Sequence, residues 1–252
     1  MIEYFLLIKN NFIQLITFFP VANYSFIYYN FLLVITLFVF VRSYTVAIES
    51  PVNLMGKNFL GFFLLFIVLL YIGFRPVNYR FGDMVIYNIE FNNYVNGAIF
   101  DTKKEFLFES FLYFFAKNLN ATSFFFVCAF LYITPLYFAT KKLFVDYSFY
   151  AFFLLIISFS FWAYATNGIR NGIATSLFIY ALSRDSKIIK WLILVAIIFI
   201  HKSILIPVLI YFIVSKYNYT KAYLALWLVC IPLSLVLGSF WEHFFFRIGF
   251  CR

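Results

Sequence analysis

Long stretches of this chain carry no acidic or basic residue. Residues 10–41, 58–74, 118–140, 147–169, 171–183 and 222–241 are uncharged, and Phe, Tyr, Ile, Leu and Val fill most of them. A helix needs roughly 20 apolar residues to cross the hydrocarbon core of a bilayer. Lipid offers no partner for a free backbone N–H or C=O, so a crossing chain must be helical or a closed barrel. Composition points the same way. The 252 residues are 65% hydrophobic, 25% aromatic and only 12% charged, with a mean hydropathy of +0.95. Soluble domains hold about 45–50% apolar and about 25% charged residues. A disordered chain, a disulfide-stapled mini-protein and a fibrous repeat are excluded. The expected fold is all-α, a polytopic helical bundle in the membrane with room for roughly seven to nine segments.

The runs predict spans at residues 26–46, 58–74, 121–140, 148–166, 169–183, 188–202, 203–215 and 221–241. Residues 4–19 read either as a span or as an interfacial segment. Residues 104–118 are apolar but contain Glu105, Glu109 and Lys117. The two glutamates are four apart and share a helix face, which suits a helix lying on the membrane better than one facing lipid. Residues 75–103 read as one polar loop, so the outer-face segment extends over about 75–118. No repeat or linker divides the chain, and one membrane domain over 1–252 is expected.

The formal charge is +9. The inner-face positives sit in short loops: Lys141 and Lys142, then Arg184, Lys187 and Lys190, then Lys216 and Lys221. These loops are two spans apart, so they share a face, and the positive-inside rule makes that face cytoplasmic. No basic patch with interleaved polar residues argues for nucleic acid. Cys128 and Cys230 lie in apolar runs and Cys251 in the tail. No CxxC or Cys/His cluster supports a disulfide framework or a metal site. Walker, GxSxG, HExxH and GxGxxG patterns are absent, which leaves nucleotide hydrolysis and serine or zinc hydrolase chemistry unsupported.

By the same parity the scarce remaining charges gather on the outer face: Arg75, Arg80, Asp83, Glu105, Glu109, Arg170, His201 and Lys202, with Asn167 beside them. Ionisable groups at the membrane mark functional sites by default. Arginines there bind phosphate through bidentate forks. A carboxylate or histidine nearby deprotonates a hydroxyl. That set suits displacement of a diphosphate from a lipid-linked substrate, and it equally suits lipid headgroup binding without chemistry. Each residue also has a structural reading. Arg170 at a span end can snorkel, Asp83 after Gly82 can be an N-cap or turn residue, His201 can be interfacial, and Glu109 can pair with a lysine.

At these positions the sequence resembles the EpsG-like branch of Wzy-type polysaccharide polymerases. The pattern is ordered along the chain. It comprises Gly73-Phe74-Arg75-Pro76, Gly82-Asp83 with Tyr87, Glu109 with Phe111 and Leu112, Ile169-Arg170-Asn171-Gly172-Ile173-Ala174, and Ile200-His201-Lys202-Ser203. It covers roughly residues 58–215. Asn171 stands where the family usually has Gln, and the aromatic common right after the Asp is missing. The family usually runs on for several more spans, so the chain is expected to be short at its C-terminus.

The resemblance implies a multi-pass glycosyltransferase of the bacterial inner membrane, acting in O-antigen, capsule or exopolysaccharide assembly. It would transfer a growing glycan from undecaprenyl diphosphate to a lipid-linked repeat unit at the periplasmic face. Arg75 and Arg170 are then expected on the diphosphates, with Lys202 assisting and Arg80 and Asn167 in the binding group. Asp83 or Glu109 is expected as base, His201 as an orienting or sharing group, and Tyr87 as a stacking platform for a sugar. Undecaprenyl-diphosphate-linked oligosaccharide is the expected partner, with a chain-length regulator and a flippase in the same membrane. No nucleotide sugar, cofactor or metal is implied. The alternatives are a flippase, which needs charges spread through the bilayer, and a non-catalytic assembly protein.

Overall fold

The computed structural model describes residues 20–45, 51–101, 105–217, 219–236 and 238. Residues 4–19, one of the two ambiguous segments, lie outside the described residues. The described chain is helical throughout, with no strand among the described residues. It forms two compact units, residues 1–200 and 201–252.

The first unit contains α1 (Tyr24–Thr45), α2 (Pro51–Gly73), α3 (Asp83–Val95), α4 (Phe106–Asn118), α5 (Ala121–Phe144), α6 (Ser148–Ile157), α7 (Phe159–Thr166), α8 (Ile169–Leu182) and α9 (Lys187–Ile198). By length and composition, Val21–Tyr44 and Ala121–Ile157 are long and apolar enough to cross a membrane, while Asn58–Gly73 is apolar but shorter. The predicted span 148–166 is broken. Ser158 has an extended backbone, and its hydroxyl accepts from the Phe161 N–H at 3.3 Å, capping α7. A polar N-cap satisfies one of the free donors at a helix start, so the chain restarts there instead of running through.

α5 is the central helix and packs on α2, α6 and α8. Its buried stripe includes Phe124, Phe125, Cys128, Ile133 and Leu136. The Ser176 hydroxyl of α8 donates to the Tyr132 carbonyl at 2.5 Å, and the Tyr132 hydroxyl donates to Phe161 O at 3.1 Å. Many large apolar residues face outward: Phe26, Phe59, Leu154 and Leu192 are all more than half exposed. A soluble monomer rarely shows such continuous apolar surface; a bilayer covers it.

At one end of the unit Lys142 of α5 pairs with Asp185 beyond α8 at 2.6 Å. This puts the 141–142 and 184–185 loops together. α5 and α8 therefore run parallel, and both start at the opposite end. There Arg170 reaches Glu105, and the Leu107 N–H at the start of α4 donates to the Phe199 carbonyl beyond α9 at 3.1 Å. The far end of α4 leads within a few residues into the start of α5, so both ends of α4 lie at that same end. Residues 105–118 thus do not cross the unit.

The polar loop expected over 75–103 is a correction. Its middle, Asp83–Val95, is the helix α3, which buries Met84, Tyr87, Phe91 and Tyr94. Their spacing of three, four and three places them on one helical face.

In the second unit α10 (Leu205–Lys216) and α11 (Thr220–Val236) follow a short turn at Lys202–Ile204. Thr220–Ser234 is apolar but shorter than a full span.

Candidate functional site

The site is built where two helices start. The chain leaves α2 through Arg75, makes a tight turn at Tyr79–Phe81, and enters α3 at Asp83. Gly82 takes a φ of +52°, and a Cβ there would lie 2.2 Å from Asn167 Oδ1. Only glycine fits both the backbone and the approach. Gly168, at φ +110°, makes the matching turn into α8.

The two helix starts cap each other. Asn167 Oδ1 accepts from the Asp83 N–H at 3.3 Å, and Asp83 Oδ2 accepts from the Gly168 N–H at 2.8 Å. Each side chain thereby satisfies a donor that its partner helix leaves free. The carboxylate also stands at the positive end of the α8 dipole.

Tyr87 lies one turn after Asp83 and joins the clasp to Arg170. Its hydroxyl donates to Asp83 Oδ2 at 3.5 Å and accepts from Arg170 Nε at 2.7 Å. Burial pushes the Tyr87 phenol above its usual pKa, against the opposing pull of the Arg170 charge. The neutral phenol can therefore serve both neighbours at once. Arg170 Nη1 pairs with Glu105 Oε2 at 2.7 Å. The guanidinium carbon stands 5.4 Å from the centre of the Tyr87 ring and 5.7 Å from that of Phe108. The arginine and Glu105 side chains keep 29% and 15% of their exposure, so the pair is sheltered but not sealed.

Asp83, Tyr87, Asn167 and Arg170 thus come together as one hydrogen-bonded chain. Glu105 completes it. Sequence parity puts Glu105 on this face but gives no sign that it, and not Glu109, meets the arginine. Glu109 is 1% exposed and accepts from the hydroxyl of Tyr94 on α3. Burial, and next this hydrogen bond, raise the Tyr94 phenol.

Arg75 is 4% exposed. Its Nη1 donates to the Ile72 carbonyl at 2.5 Å, closing the C-terminus of α2, and its charge faces the Phe81 ring at 5.7 Å. Its Nε has no hydrogen-bond partner. It borders a cavity of about 10 Å³ with Cys128, Tyr132, Tyr164 and Ile169. Burial pushes its pKa down to about 10, so it remains a cation at neutral pH. Arg80 is exposed, with its guanidinium 6.0 Å from the Tyr79 ring.

His201 and Lys202 belong to the second unit. His201 Nε2 lies 2.9 Å from Ser203 Oγ, and Lys202 is exposed. Among the described residues no three His, Cys, Asp or Glu side chains converge as metal ligands.

The architecture and this cluster define the class: an all-α membrane protein with a cationic, carboxylate-bridged site at one end of its helices. The family model described as the EpsG family matches residues 58–250, from α2 through the whole site, and the chain belongs to that family. The family is one of membrane proteins of polysaccharide biosynthesis. No curated protein and no solved structure matches the chain.

Proposed function

We propose that this protein is a polysaccharide polymerase of O-antigen, capsule or exopolysaccharide assembly. It transfers the growing glycan from undecaprenyl diphosphate to a lipid-linked repeat unit at the outer face of the bacterial inner membrane, which it crosses with roughly seven to nine segments. A chain-length regulator and a flippase would work beside it. The observation that carries the reading is the sheltered Arg170–Glu105 pair, held in place by the Asp83–Tyr87 clasp.

A planar guanidinium binds phosphate and carboxylate through the same fork. An incoming diphosphate takes the place of Glu105 on Arg170, and the released carboxylate is the base. The acceptor hydroxyl oxygen bonds to the anomeric carbon of the donor sugar, and its proton passes to Glu105. The bond from that carbon to the diphosphate oxygen breaks, and undecaprenyl diphosphate leaves with the electron pair. Arg170 stabilises the charge that develops on the leaving oxygen. Glu109 and His201 remain the other general-base candidates. Asp83 and Asn167 hold the arginine in place.

The test is complementation of a polymerase-deficient strain, read as a ladder of polymer lengths. Arg170→Ala should remove the long polymer and accumulate single-unit glycolipid while the membrane level of the protein stays normal. Unchanged polymer length would sink the assignment. Loss of the protein itself would instead make Arg170 a structural tie.

A further inference from the structure

α3 turns one face inward and leaves the other open. Met84, Tyr87, Phe91 and Tyr94 are buried, and the helix packs against α4. On the outward face Ile86 and Ile89 are 56% and 55% exposed, and Asn92, Asn93 and Asn96 are exposed beside them. Residues three and four apart are neighbours on a helix surface. Ile89 therefore has Ile86 one turn before it and Asn92 and Asn93 one turn after it, and Asn96 follows at the seven-residue spacing of the same face. Together they make an apolar pad bordered by carboxamides.

These asparagines do not serve the fold. Asparagine is a poor helix former, because its amide competes for the backbone. Elsewhere in the chain it has structural work: Asn78, Asn120 and Asn167 each accept from a backbone N–H at a helix start. α3 holds three asparagines in 13 residues, with Asn96 at its C-cap. Among the described residues, the side chains of Asn88, Asn92, Asn93 and Asn96 make no hydrogen bond.

Free carboxamides on a surface match a neutral, hydroxyl-rich ligand. Each offers an acceptor oxygen and two N–H donors, and a sugar hydroxyl can meet either. Small-ligand sites pair an apolar lining with a few placed polar groups, and the exposed isoleucines suit the C–H face of a pyranose. The competing occupant is the membrane surface. Helices that lie on a bilayer carry Lys and Arg on their polar face. α3 has neither, and its only charges are Asp83 and Glu90, so it gives anionic headgroups nothing to pair with. Tyr87, the expected sugar platform, is 3% exposed, and its hydroxyl is held by Asp83 and Arg170. Its ring offers a sugar no free face, and contact with the glycan falls to the outward side of the same helix.

We propose that the outward face of α3 is a glycan subsite, with a pyranose of the substrate chain lying on Ile89 and hydrogen-bonded by Asn92 and Asn93. The identity of the ligand rests on the polymerase reading. α3 starts at Asp83 in the clasp, and Ile89 stands about 9 Å further along the helix axis. The subsite therefore holds a sugar beyond the reacting one, where remote contacts supply binding energy for the chemistry.

The experiment is saturation-transfer NMR on the full-length protein in detergent. The probe is the repeat-unit oligosaccharide of the host polysaccharide, released from its lipid by mild acid. The wild type should saturate ring C–H protons of the sugar. Asn92→Ala combined with Asn93→Ala should weaken binding about tenfold through two lost hydrogen bonds, and Ile89→Asp should weaken it at least as much. Alanine is the better helix former, so the unfolding temperature of the double variant should not fall, and lost binding is then not lost fold. No saturation by the wild type, or equal affinity across the wild type and both variants, overturns the subsite. A fluorophore on Ile89→Cys that reports lipid contact in phosphatidylglycerol nanodiscs also overturns it, and gives the face to the membrane. The assay involves no turnover, so it fails separately from the polymerase reading, which the polymer ladder of Arg170→Ala tests.

Discussion

Asp83 separates a positioning role from a catalytic one, and a single atom makes the separation measurable. Both side-chain hydrogen bonds of Asp83 end on the same oxygen: the Gly168 N–H at 2.8 Å and the Tyr87 hydroxyl at 3.5 Å both point to Oδ2. Asparagine carries one carbonyl oxygen with two lone pairs, so Asp83→Asn retains both bonds. It also ranks level with aspartate as an N-cap. What it loses is the negative charge at the start of α8, about 0.3–1 kcal/mol. The expected effect on polymer yield is less than about fivefold. Asp83→Ala removes the cap, at about 0.5–2 kcal/mol, and leaves the Tyr87 hydroxyl without its acceptor. Arg170 then loses the support of its Nε partner. Polymer should fall about tenfold or more, with some loss of protein.

If Asp83 were the general base, the order would differ. A base cannot be an amide, and general-base catalysis contributes about 10²–10⁴-fold. Asparagine would then be as inactive as alanine while folding normally. The assay is the polymer ladder in a complemented strain, normalised to protein in the membrane fraction. An asparagine variant at normal level with more than about a hundredfold less polymer refutes the clasp reading.

Three further outcomes follow from the same geometry. Glu105→Gln keeps a hydrogen-bond partner for Arg170 but removes the base, so polymer should be lost at normal protein level; retained polymer moves the base to Glu109 or His201. Gly82→Ala places a Cβ against Asn167 Oδ1 at a positive φ, and should lower thermal stability in detergent by about 1–3 kcal/mol; an unchanged unfolding temperature means the turn is not held as described. Arg75→Met removes a buried cation whose Nε is unpartnered, and apolar replacement of buried charge is often stabilising. Unfolding at neutral pH should shift upward by about 2–4 °C per kcal/mol gained, and a fall instead would show that the bond to Ile72 O outweighs desolvation. The sign follows from the depressed pKa. The penalty is constant below the folded value of about 10 and fades only as pH rises towards the unfolded value, so the variant's advantage should persist across ordinary pH.

The uncharged runs place α1, α5, α8 and the end of α2 to within a few residues, because the demand for length and apolarity in lipid is a one-dimensional rule; α2 itself starts seven residues earlier, at Pro51. α3 escapes that rule. Asn88, Asn92 and Asn93 give residues 75–103 the look of a loop, while the helix rests on Met84, Tyr87, Phe91 and Tyr94 packing against its neighbours. The helix break at Ser158 is hidden for the opposite reason: its surroundings are apolar on both sides, and one capping hydroxyl decides the geometry. Parity of the spans assigns Arg170, Asp83 and Glu105 to one face by counting crossings, and the hydrogen bonds through Tyr87 and Arg170 link the three side chains. It is blind to pairing. Glu105 and Glu109 share a helical face, and which of them reaches Arg170 is set by the depth and rotation of α4. The Leu107 bond to the end of α9 and the contact of Tyr94 with Glu109 fix both. The chemistry of the site therefore depends on the seating of a short helix that does not cross the unit. Loosening that helix at Tyr94 should disturb Arg170 as surely as touching the arginine itself.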